Sequence, residues 1–153
     1  MKQPINRRGV NMLNSKIRIL FVCIICGLLF WNISIAGDKK EEMAAESAKA
    51  WLTIIDDGKY AESWESAADY FKSAVSKEQW KDMLSSFRKP LGKVMKRKIK
   101  SKEYRTTLPG TPDGEYVVVQ YETSFSNKKY AIETITPMLD KDGKWRVSGY
   151  FIK

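Results

Sequence analysis

The feature that most limits what this chain can fold into is its last third, LPGTPDGEYVVVQYETSFSNKKYAIETITPMLDKDGKWRVSGYFIK, from Leu108 to Lys153. Apolar and polar residues alternate along it, and turn residues cut it at regular intervals. Pro109-Gly110 suits a type II turn, and Pro112-Asp113-Gly114 suits a type I turn. Asp142-Gly143 is a strong hairpin signal. The stretch therefore predicts three consecutive antiparallel strands, with turns near Asn127-Lys128 and at Asp142-Gly143. A fourth strand, Val94 to Tyr104, precedes them.

Turn positions set register, and register sets which side chains share a face. With Asn127-Lys128 as the loop, one face holds Val117, Val119, Tyr121, Thr123 and Phe125. Beside them stand Tyr130, Ile132, Thr134, Thr136 and Met138, then Trp145, Val147, Gly149 and Phe151. That face is expected to seat the helices, and Tyr121, Tyr130, Thr134 and Thr136 are its candidate ligand-binding residues. The other face holds Glu122, Glu133 and Arg146 around an apolar group of Val118, Ile135, Leu139, Tyr150 and Ile152. An exposed apolar group of this size marks an interface. A homodimer or a protein partner docked there is the expectation. In this register Glu122 and Glu133 are opposite one another, which requires a cation such as Arg146 or Lys129 between them.

The first strand carries Lys96, Lys98, Lys100 and Lys102 at every second position. A lysine-rich edge strand discourages edge-to-edge aggregation. The competing reading is a basic ridge for an anionic surface. No aromatic residues interleave with it, so no nucleic acid is expected as a partner.

Upstream the period changes from two to 3.6. Ala44, Ala48, Trp51, Leu52 and Ile55 mark one face of a helix that ends at Gly58, with Asp38 as its expected N-cap. A second helix is read over Lys59–Ala68 and a short one over Ala68–Val75. Ser76-Lys77-Glu78-Gln79 forms a capping box that opens a third long helix carrying Trp80, Met83, Leu84 and Phe87. Pro90 and Gly92 close it. The fold class is α+β, with N-terminal helices packed on one face of a curved four-stranded antiparallel sheet.

Function classes are excluded by what is missing. The chain has no histidine, and its two cysteines, Cys23 and Cys26, both lie in an apolar N-terminal run. A chain beginning near Gly37 has neither residue. Disulfides, thiol nucleophiles, Ser-His-Asp triads and the usual zinc sites are then out of reach. No catalytic set, metal site or cofactor motif is read. Residues 1–36 hold Lys2, Arg7, Arg8, Lys16 and Arg18 and no acid, which leaves 22 basic and 18 acidic residues beyond them. The formal charge of +9 thus falls to +4, a mildly basic domain.

Lys16-Ile17-Arg18, the apolar run from Ile19 to Trp31, and Ser34-Ile35-Ala36 have the three-part pattern of a secretory signal. Cleavage after Ala36 is expected, giving a signal peptide over 1–36 and a single exported domain over 37–153. The protein is then periplasmic or secreted. An uncleaved anchor is the alternative, although the apolar run is short for a spanning helix.

Ala50 to Trp80, AWLTIIDDGKYAESWESAADYFKSAVSKEQW, resembles the opening of nuclear-transport-factor-2-like domains. The closing DGKWRVSGY resembles their last strand. More narrowly, PLGKV, LPGTPDGEYVVVQYETSFSNK, ETITPM and DGKWRVSGYFI resemble the bacterial exported family called domain of unknown function 4019. The resemblance spans nearly all of the chain after residue 36. It implies a cone, a curved sheet wrapped around helices and often holding a cavity. The superfamily hosts isomerases, dehydratases, binding proteins and dimerisation modules, so it does not decide function. The expected function is an exported, non-catalytic binding or interaction module. Two alternatives stand beside it: a ligand-binding protein or isomerase using the cone interior, and an envelope-associated protein using the lysine ridge. Isomerase chemistry needs an acid or histidine inside, and the expected inner face has none.

Overall fold

The computed structural model describes residues 37–153. The expected signal segment, its cleavage site and both cysteines lie outside the described residues.

Helix α1 covers 37–56. Its apolar face is the one the spacing predicts: Ala44, Ala48, Trp51, Leu52 and Ile55 are all buried, and Ala45 joins them. Asp38 lies inside the helix and so does not cap it. The helix ends in a Schellman arrangement. Lys59 N–H donates to Ile54 O at 3.1 Å and Gly58 N–H to Ile55 O at 3.0 Å. This closure needs a positive φ at Gly58, which is +74°.

Two short helices follow, α2 (Tyr60–Glu65) and α3 (Asp69–Ala74), both shorter than the spacing suggests. Helix α4 (Lys77–Phe87) opens with the predicted capping box. Gln79 N–H donates to Ser76 Oγ at 3.2 Å, and Ser76 N–H donates to Gln79 Oε1 at 3.0 Å. Trp80 and Leu84 face inward, whereas Met83 is 48% exposed. The indole N–H groups of the three helical tryptophans are matched as burial demands. Trp51 donates to Ser63 O at 2.7 Å, Trp80 to Ser63 Oγ at 3.0 Å, and Trp64 to Val75 O at 2.8 Å.

The sheet has four antiparallel strands in the order β1 (Val94–Arg105), β2 (Tyr116–Phe125), β3 (Lys128–Leu139) and β4 (Trp145–Ile152). The lysine-rich strand is therefore an edge, as expected. Lys39–Lys153 form one compact unit.

Register departs from the sequence reading by one residue. The tip of the β2–β3 hairpin is Ser126-Asn127, since Phe125 pairs with Lys128. One extra β3 residue then lies between Lys128 and Ala131, because Thr123 pairs with Ala131. From there Tyr121 faces Glu133, and Val119 faces Ile135. A one-residue slip sends every β3 side chain to the opposite face. Ala131, Glu133, Ile135 and Pro137 point to the helices, while Ile132, Thr134, Thr136 and Met138 point away. A second bulge does the same within β4. Val147 pairs with Pro137 but Gly149 pairs with Thr136, so Ser148 is extra. Trp145 and Val147 face inward as expected. Beyond the bulge Tyr150 and Ile152 face inward, and Gly149 and Phe151 turn outward.

The hairpin tip is clamped by the segment after α4. Asn127 N–H donates to Leu91 O at 3.0 Å, and Ser126 N–H donates to Lys93 O at 2.8 Å. Gly92 sits under this clamp with φ +78° and ψ −154°, a region that is essentially glycine-only. A Cβ there would lie 2.1 Å from Ser126 Oγ. Gly92→Ala is expected to lower unfolding free energy by about 1–3 kcal/mol from the backbone alone, measured by urea denaturation. Gly110→Ala is the comparison, because a Cβ at Gly110 meets no atom within 4 Å. It should cost less.

Candidate functional site

The slip in β3 places a carboxylate inside the domain. Glu133 is wholly buried, and an isolated buried charge is costly. Four donor contacts surround it. Arg97, on β1, reaches across β2 and binds side-on, Nε to Oε2 at 2.7 Å and Nη2 to Oε1 at 3.2 Å. The Thr123 hydroxyl donates to Oε2 at 2.5 Å, and the Tyr150 hydroxyl donates to Oε1 at 2.6 Å. Both carboxylate oxygens thus accept hydrogen bonds.

Arg97 is shared. Its other edge binds Asp56, in the last turn of α1, with Nη1 to Oδ2 at 2.6 Å and Nη2 to Oδ1 at 3.1 Å. An acid at a helix C-terminus is unfavourable by itself. Asp56 is held there by Arg97 and by Arg88 Nη2 at 2.9 Å. Arg88 follows α4, donates to Gly92 O at 2.8 Å, and lies 4.5 Å over the Phe125 ring. Glu133, Arg97, Asp56 and Arg88 form an alternating chain of charges. The chain ties α1 and the end of α4 to the inner face of the sheet. Burial works against the Arg97 charge, but the hydrogen bonds to Asp56 and Glu133 outweigh it and raise its pKa.

Tyr150 closes the network on the other side. Its ring packs edge-on against Trp51 with centroids 5.4 Å apart, and against Trp80 at 6.4 Å. Burial first, and then the Glu133 charge, push its phenol pKa well above the ordinary value of 10.0.

Beside the network a cleft of about 510 Å³ opens between α1 and β1. Ala45, Leu52, Ile99 and the Tyr121 ring supply apolar walls, Glu42, Glu46, Lys49 and Arg97 supply charge, and Lys98 also borders the cleft while its ammonium pairs with Glu122 on the outer face. Tyr121 is 4% exposed, and its hydroxyl has no hydrogen-bond partner among the described residues. Burial, the main cause, raises its pKa, so at neutral pH it remains a donor.

The expected site residues scatter. Of the proposed ligand residues, Tyr121 lines the cleft, Tyr130 is 62% exposed, and Thr134 and Thr136 are on the outer face. They do not form one site. The expected outer apolar group also breaks up. Val118 faces outward, but Ile135 is fully buried, Leu139 and Tyr150 pack on the core, and Ile152 pairs with Glu133 on the inner face. Glu122 and Glu133 are on opposite faces. Lys98 pairs with Glu122 at 3.0 Å, and Arg146 pairs with Asp140 and Asp142. The lysine ridge holds through Lys96 and Lys98. At Lys100 a bulge intervenes, and Lys102 swings to the inner side to pair with Glu42 at 2.6 Å. Among the described residues no three potential metal ligands converge, and no helix is long and apolar enough to cross a membrane.

The residues that sequence reasoning missed are Arg97, Asp56, Arg88 and Glu133 as an inner set. One signal was present: Asp56 at a helix C-terminus, where an acid needs a cation.

The raised phenol pKa of Tyr150 gives a sign for pH dependence. A group whose folded pKa lies above its unfolded one stabilises fully below the unfolded value and loses that stability as pH rises past it. Unfolding free energy should therefore fall as pH climbs above about 10. The fall should be smaller in Tyr150→Phe. Equal slopes in urea titrations of the two proteins would contradict the Tyr150–Glu133 contact.

No curated protein and no solved structure matches the chain. The family described as "Protein of unknown function (DUF4019)" matches over residues 47–150, which takes in α2 to α4, nearly all of the sheet and every member of the charge network. The chain therefore belongs to the DUF4019 family.

Proposed function

We propose that the domain is an exported, non-catalytic binding module that holds one small, uncharged molecule with an apolar body in the cleft between α1 and β1. The observation that carries this is the cleft wall formed by the Tyr121 ring, whose buried hydroxyl has no partner among the described residues and so is left as a donor beside the cleft. Buried polar groups are rarely left unpaired, and the exceptions call for an explanation. The cleft's size falls within the roughly 300–1,000 Å³ of small-molecule sites.

The neutral ligand follows from charge pairing. Glu42 is matched by Lys102, Lys98 by Glu122, and Arg97 by Asp56 and Glu133. Glu46 and Lys49, both exposed, carry opposite charges. No net charge is left for an ionic ligand, while apolar walls and a single phenol donor suit a molecule with one acceptor atom.

The absence of an open base supports the non-catalytic reading. Glu133 is the acid an isomerase would need inside, but both its oxygens are bound by donors and it does not line the cleft. The order of helices followed by a meander supports the reading of the fold as a nuclear-transport-factor-2-like cone. The signal-like pattern from Lys16 to Ala36 supports export.

The neutral dye Nile red, titrated into the chain from Gly37 onward, tests the site. One saturable site is expected. Ile99→Lys should weaken it about tenfold or more by placing a charge on an apolar wall. Tyr121→Phe should weaken it about fivefold, the worth of one hydrogen bond. Unchanged affinity in both variants would remove the cleft as the binding site.

A further inference from the structure

The outer face of the sheet divides into two ends. At one end the segment after β1 folds back, and Tyr116 is fully buried with its hydroxyl donating to Pro112 O at 2.6 Å. The other end, toward the β2–β3 hairpin, is open. There Tyr130 is 62% and Phe151 60% exposed, with Ile132 between their positions along β3. Two such large exposed aromatic residues on one face are unusual for a surface otherwise rich in charge.

Lysines flank this strip. Lys96 and Lys98 are outward on β1, opposite Ser124 and Glu122. A recess lined by Lys96, Lys98, Glu122, Lys129 and Tyr130 joins them to the hairpin. Glu122 is the acid of this recess, and it is already paired with Lys98. Lys100 and Lys96 also act on Glu122, holding its pKa below the usual range after the Lys98 hydrogen bond and charge. The region is therefore basic beyond what its own acid neutralises.

The type of cation discriminates between occupants. Protein interfaces favour arginine and are depleted in lysine. Here no arginine is at the hairpin end: Arg97 and Arg88 are in the interior network, Arg146 is bound by Asp140 and Asp142, and Arg105, at the far end of β1, pairs with Glu103. Lysine keeps its ammonium hydrated while its stem lies along apolar surface. Exposed aromatic side chains among lysines are the composition that seats a protein at the headgroup level of an anionic bilayer. We propose that the hairpin end of the outer sheet face docks on an anionic lipid surface, with Tyr130 and Phe151 entering the headgroup layer and Lys96, Lys98 and Lys129 facing the phosphates.

The test is the partition of the full chain onto phosphatidylcholine vesicles with and without about one-third phosphatidylglycerol. The N-terminal segment is common to all variants, so comparisons isolate the sheet face. Lys96→Gln with Lys129→Gln should weaken partition onto the anionic vesicles about tenfold or more, given the worth of each lysine near such a surface. Pure phosphatidylcholine partition should not change. Lys72→Gln with Lys141→Gln removes the same charge from residues lining a different recess, and should stay within about twofold of wild type. Tyr130→Ser is an independent arm that leaves charge intact and should also weaken anionic binding. Equal losses in the two lysine pairs, or no loss in either the lysine pair or Tyr130→Ser, would overturn the proposal. So would Lys96- and Lys129-dependent binding to a single-stranded oligonucleotide, or self-association of the chain, with vesicle binding unaffected.

Discussion

The pairing of Arg97 with two carboxylates at once is the interaction on which the rest of this structure depends. Glu133 is fully buried on a central strand, and Asp56 sits at a helix end that disfavours acids. The first placement is costly without a cation, and the second is mildly unfavourable. A guanidinium with a fixed fork of donors can satisfy both, side-on to one and end-on to the other. That geometry sets where the last turn of α1 lies over the sheet. Arg88 extends the chain to the end of α4 and to Phe125. Tyr150 extends it into the aromatic group of Trp51, Trp80 and Phe87. Apolar packing supplies most of the driving force for burial, whereas the charge chain decides which helix end meets which strand.

The same network shapes the two surfaces. By neutralising Arg97 internally, it leaves the neighbouring cleft with apolar walls and a single unmatched phenol. With Arg97 and Arg88 inside, and Arg105 and Arg146 paired with acids at the far end of the sheet, lysine is the cation of the hairpin end of the outer face. The two candidate surfaces thus lie on opposite sides of one sheet and differ in the chemistry they can recognise.

Much of the fold is legible in the sequence because it rests on local signals. The stripe from Ala44 to Ile55, the stop at Gly58, the capping box at Ser76 and the edge character of the lysine strand depend on neighbours within a few residues. The face assignments are not legible, because they depend on bulges. Extra residues at Met95 and Lys100 in β1, between Lys128 and Ala131 in β3, and at Ser148 in β4 leave no turn signature. Each reverses parity from its position onward. On β3 the two parities are nearly balanced in hydrophobicity, Ala131, Ile135 and Pro137 against Ile132 and Met138, so the pattern cannot choose. The glutamate at 133 tips the eye toward the wrong answer, since an inward acid is tolerable only with a partner such as Arg97, 36 residues away.

The central claim is that Arg97 and Glu133 are energetically coupled inside the domain. A double-mutant cycle by urea denaturation, with Arg97→Met, Glu133→Leu and the double variant, measures this directly. Arg97→Met leaves the buried Glu133 without its cation and should cost about 3–5 kcal/mol, whereas Glu133→Leu leaves Arg97 its pairing with Asp56 and should cost less. The double variant should cost well under the sum, with a coupling of about 2 kcal/mol or more. Single costs below about 1 kcal/mol that simply add would place both side chains in solvent, and would contradict the inward register of β3.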